Sequence, residues 1–160
     1  MIVTGTKRLN FFFLILFFAC IFSACTKSNL YDKNISIDAG GWGYGDIKSF
    51  PVTIIDSAST YNLFINVRHT DAYPFNNIWL KITTILPDST KTENKINVVL
   101  AQPGGKWTGR CVDGICYNTI LMQPGFHFAQ TGDYIFQIEQ DMRVNPVAHI
   151  LDIGIRLEKM

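Results

Sequence analysis

The feature that most constrains this chain is a strict alternation of apolar and polar side chains. In "YNLFINVR" the residues Tyr61, Leu63, Ile65 and Val67 fall on one face, and in "IWLKITTIL" Ile78, Leu80 and Ile82 do the same. Successive side chains of a strand point to opposite sides, so a period of two describes a strand with one face in a core. The same reading covers residues 50–55, 94–101, 132–142 and 150–159, each bounded by Gly, Pro, Asp or Asn. No long stretch carries the 3.6-residue period of an amphipathic helix, and only "YNTILMQ" offers a short helical turn. Strands at this spacing predict an all-β fold: a single antiparallel β-sandwich, jelly-roll-like, of about seven to nine strands over residues 35–160. The segment "NVRHTDAYPFNN" then reads as the turn of a hairpin between two core strands.

Ahead of that domain stands "MIVTGTKRLNFFFLILFFACIFSAC". Lys7 and Arg8 precede an apolar run over residues 11–22, and Ser23 and Ala24 follow, which is the layout of a secretory signal. The run is 12 residues long, well short of the roughly 20 that a spanning helix needs. Ordinary cleavage before Cys25 would put Phe22 in a pocket for small side chains, whereas "FSAC" resembles a lipobox. Residues 1–24 are therefore expected to be removed and Cys25 to be lipidated. Cys20, the rival acceptor, has Phe18 where a small residue is wanted. Each buried methylene of an acyl chain adds ~0.8 kcal/mol, so several chains give stable membrane anchoring. Residues 25–34 are expected to form the lipidated cysteine and a polar tether.

Removing residues 1–24 takes Lys7 and Arg8 from the 14 basic groups and leaves 12 against 13 acidic ones. No basic stripe remains for nucleic acid.

Several groupings invite a chemical reading. Cys111 and Cys116 in "CVDGIC" enclose Asp113-Gly114, a tight-turn pair. In an exported chain they can form a disulfide, with free thiols or a metal pair as the other readings. His69, His127 and His149 have no metal-like spacing, so neither a metal nor a cofactor is expected. In "IEQDMR", Glu139, Asp141 and Arg143 share one strand face, which suits a charged surface ladder better than two carboxylates across a glycosidase cleft. His69 and Asp71 lack a serine or cysteine in a nucleophile-elbow context, so no catalytic residues are assigned. Trp42, Tyr73, Phe75 and Trp107 sit in Gly- or Pro-rich loops. They either plug the end of the sandwich or form a contact surface for protein or sugar.

The segments "YNLFINVRHTDAYPFNNIWLKITTILPD", "LAQPGGKWTGR", "FAQTGDYIFQIEQDMR" and "ILDIGIRLEK", in this order behind a lipoprotein signal and a "GGWG", resemble the GldH family of gliding-motility lipoproteins of Bacteroidetes. The Cys111/Cys116 pair departs from the family pattern. The resemblance implies a non-enzymatic cell-envelope lipoprotein, an accessory or scaffold that acts by contact with other gliding-motility or type IX secretion proteins. The alternative is an envelope carbohydrate-binding module, for peptidoglycan or a surface glycan, using Trp42, Tyr73 and Trp107. "CTKSNLYD" lacks an acidic cluster after the cysteine, so the expected place is the outer membrane with the domain facing the periplasm.

Overall fold

The computed structural model describes residues 29–160. The signal segment, Cys25 and residues 26–28 of the expected tether lie outside them. Among the described residues nine strands follow in the order β1 (Asn29–Ser36), β2 (Lys48–Ile54), β3 (Tyr61–Thr70), β4 (Asn77–Ile85), β5 (Lys91–Val99), β6 (Arg110–Val112), β7 (Ile115–Phe126), β8 (Gly132–Gln140) and β9 (Ile150–Lys159). They form two antiparallel sheets, β1-β9-β3-β7-β6 and β2-β8-β4-β5.

The pairing explains the shape. β1 pairs with β9, β2 with β8, β3 with β7 and β4 with β5, so the chain is one long antiparallel ribbon folded back on itself. Alternate pairs fall in opposite sheets, which is the winding of a jelly roll. The three-residue β6 is an addition beside β7.

Alternation places the core between the sheets. Phe50, Val52 and Ile54 of β2, Ile65 and Val67 of β3, Ile78 and Leu80 of β4, and Ile153, Ile155 and Leu157 of β9 are all buried. Each such side chain contributes roughly 1.5–3 kcal/mol relative to exposure, and together they fix which face of each strand turns inward.

Three expectations are corrected. β3 and β4 are not a hairpin: they lie in different sheets, and residues 71–76 form a corner between them. The corner is held by the connection that follows β5, because the Asn76 carbonyl accepts from the Leu100 and Ala101 amides at 2.8 and 2.9 Å. "YNTILMQ" is strand rather than helix, since it lies inside β7 and pairs with β3 except at Met122, where the register shifts. The expected tether is strand from Asn29 onward, paired with β9 continuously from Tyr31.

Candidate functional site

Jelly-roll winding brings the 37–47, 71–76, 100–109 and 141–149 connections to one end of the sandwich. All four aromatics singled out from the sequence lie there. Trp42 and Tyr73 are core residues, however, at 0% and 3% exposure, and present no surface to a partner. Trp42 exchanges main-chain hydrogen bonds with Val147 at 2.8 and 3.0 Å, and its indole Nε1 donates to the Asp46 carbonyl at 2.8 Å. The "GGWG" loop is thereby folded onto the 141–149 connection as a lid on the core. Phe75 and Trp107 are half-buried against the same core.

Tyr73 and Trp107 pack against His69, and Phe75 packs against Tyr73. The His69 ring lies 4.5 Å from Trp107 and 5.6 Å from Tyr73, and Tyr73 lies 5.6 Å from Phe75. The polar edges of this cluster are satisfied. Thr108 Oγ1 donates to Asn118 Oδ1 at 3.0 Å, and Asn118 Nδ2 donates to His69 Nε2 at 3.0 Å. An imidazole nitrogen that accepts must be unprotonated, so the proton sits on Nδ1, which donates to the Thr70 carbonyl at 2.8 Å. Burial holds the His69 pKa below its ordinary value. With both ring nitrogens already bonded, the imidazole has no lone pair free to take a proton from a nucleophile. Gly109, next in "GKWTG", is required by the same network: a Cβ there would stand 2.3 Å from the Tyr117 carbonyl oxygen and 2.6 Å from Asn118 Oδ1.

Cys111 and Cys116 face each other across β6 and β7 and are joined by a disulfide. Asp113 and Gly114 between them have φ of 50° and 76°, the left-handed pair that a tight two-residue hairpin turn requires. Asp71 is exposed beside this turn, and its main-chain amide donates to the Gly114 carbonyl at 2.8 Å.

The carboxylates of "IEQDMR" lie on the outer face of the second sheet. Glu139 pairs with Lys81, and Asp141 pairs with Lys95 at 2.8 Å. The depression that Asp141 borders contains no second carboxylate. Among the described residues, no three His, Cys, Asp or Glu side chains meet as a metal site would need.

What sequence reasoning missed is Trp79. It lies mid-strand in β4, and alternation with the inward Ile78 and Leu80 points it outward, where it is 42% exposed. Val99 and Val144, at 54% and 47%, are exposed near it, and Phe75 flanks the same depression. Val99 stands opposite Asn77, two residues before Trp79 on β4. Arg143 and the Lys95–Asp141 pair supply a polar rim. At the loop end of the second sheet, therefore, an exposed indole sits in an apolar patch bordered by charge.

A family model described as GldH lipoprotein matches residues 29–157. The chain is 28% identical to a gliding motility lipoprotein GldH homolog of Christiangramia forsetii, over 92% of this chain and 94% of that protein. It is 26% identical to the gliding motility lipoprotein GldH of Flavobacterium johnsoniae, over 91% and 94% of the two chains.

Proposed function

This chain belongs to the GldH lipoprotein family, and from that premise we propose that it is a non-enzymatic accessory or scaffold component of the gliding-motility apparatus, coupled to type IX secretion. The polypeptide is anchored through lipidated Cys25 in the outer membrane, with the sandwich in the periplasm. It works by holding another protein.

The observation that carries this reading is the Trp79 patch. A tryptophan 42% exposed on a sheet face loses apolar surface to water, and a partner that covers it gains about 25 cal/mol for each Å² removed. Indoles ringed by polar groups are the anchors that dominate protein contacts. Val99, Val144 and Phe75 widen the apolar area around the ring, and Arg143 orients whatever docks.

The test replaces Trp79 with a photo-crosslinking residue in the full lipidated chain and illuminates gliding cells. The expected result is a defined adduct with another gliding or secretion component from position 79 and none from the exposed Lys91. Adducts absent at position 79, or equal at both positions, would remove the support for this reading.

A further inference from the structure

The outer face of the first sheet carries a separate groove of about 450 Å³, which the Trp79 patch does not touch. Its floor is a row across four strands: Asn34 of β1, Gly154 of β9, Asn66 of β3 and Thr119 of β7 stand side by side in register. Gly154 is what lowers this row. A Cβ there would lie 1.9 Å from Asn34 Oδ1, so the Asn34 amide lies across the glycine, and Asn34, Asn66 and Thr119 supply the polar groups of the floor.

The walls are the neighbouring rows. On one side the Arg156 guanidinium lies over the Phe64 ring at 4.6 Å. On the other, Arg68 pairs with Asp152 and lies 5.7 Å from the ring centre of Tyr117, which is 50% exposed. Asn66 Nδ2 donates to Asp32 Oδ1 at 3.2 Å, and Thr119 Oγ1 donates to Asn66 Oδ1 at 3.0 Å. A carboxamide has two N–H groups and two oxygen lone pairs, so Asn66 keeps one of each for a ligand.

We propose that this groove binds a neutral oligosaccharide. Its charged lining groups are two arginines and two aspartates, Arg68 and Arg156 against Asp32 and Asp152, which gives no net attraction for a polyanion or a polycation. Sugar hydroxyls both donate and accept, which matches a floor of amides and a hydroxyl beside carboxylate walls. The C–H face of a pyranose covers the exposed Tyr117 ring. Three strand spacings give a length of roughly 14 Å, enough for a short oligosaccharide lying across the strands.

The experiment uses the full lipidated chain in a polyoxyethylene detergent, free of sugar headgroups. It is screened against arrayed neutral oligosaccharides of glucose, galactose, mannose, xylose and N-acetylglucosamine, and the best ligand is titrated by calorimetry. One-to-one binding is expected, weakened about tenfold by Tyr117→Ala and by Asn66→Ala and unchanged by Trp79→Ala. Both weakening substitutions lie on the outer face, and unfolding curves verify that each variant keeps its fold. Silence across the neutral array, binding confined to charged glycans, or an affinity untouched by both groove variants would each overturn the proposal.

Discussion

Trp107 stands edge-on to His69 with ring centres 4.5 Å apart and closes the imidazole from water, while Asn118 and the Thr70 carbonyl take its two nitrogens. The aromatic loop of "GGKWTG" is thus part of the packing of β3.

A pH effect follows. Burial lowers the native His69 pKa, so between that value and the unfolded value of about 6.5 the unfolded chain binds the extra proton. Stability from this group is full above about pH 6.5 and falls as pH drops through the window below it. Urea midpoints at pH 7.5 and 5.5 are expected to show a loss of stability at the lower pH in the native protein that His69→Gln does not share. Equal losses in both would contradict the buried, neutral imidazole.

The two tryptophans of opposite placement separate packing from surface. Trp42→Ala empties a site with no exposure and is expected to cost about 3–5 kcal/mol. Trp79→Ala is expected to change stability by less than about 1 kcal/mol. Chemical denaturation of the two variants checks this, and comparable losses would contradict the outward position of Trp79.

The Cys111–Cys116 bond closes only the β6–β7 turn. Replacing both cysteines by serine is expected to lower stability by about 2 kcal/mol, the loop-closure value for so short a ring. The far-ultraviolet spectrum stays that of a β-sandwich. Unfolding of the first sheet in the double variant would give the bond a larger role than its position allows.

Strands were legible in the sequence where one face is largely apolar, as in β3, β4 and β9. The alternation is hidden in β7 because its inward row includes Asn118, bonded to His69, while Tyr117 and Leu121 point outward. β1 read as a tether for a related reason: it is an edge strand whose outward residues Asp32, Asn34 and Ser36 are polar, so half its length looks like linker. Pairing was less legible still. Nothing local distinguishes a hairpin between β3 and β4 from a corner, because the bonds that fix Asn76 come from Leu100 and Ala101.

The site was legible in part. Gly- and Pro-rich contexts located the loop end, but they mark where aromatics are needed as readily inside as outside, and Trp42 and Tyr73 proved to be inside. The signal for Trp79 was present in the pattern itself: if Ile78 and Leu80 face the core, the residue between them faces water. An indole there stands among Asn77, Lys81 and Thr83 in the outward row of β4.

Whether the Trp79 surface serves gliding is decided in a deletion strain complemented with Trp79→Glu, in which gliding speed is measured. Gliding is expected to be lost while the variant accumulates and unfolds like the native protein. Gliding at the native speed with Trp79→Glu would contradict it.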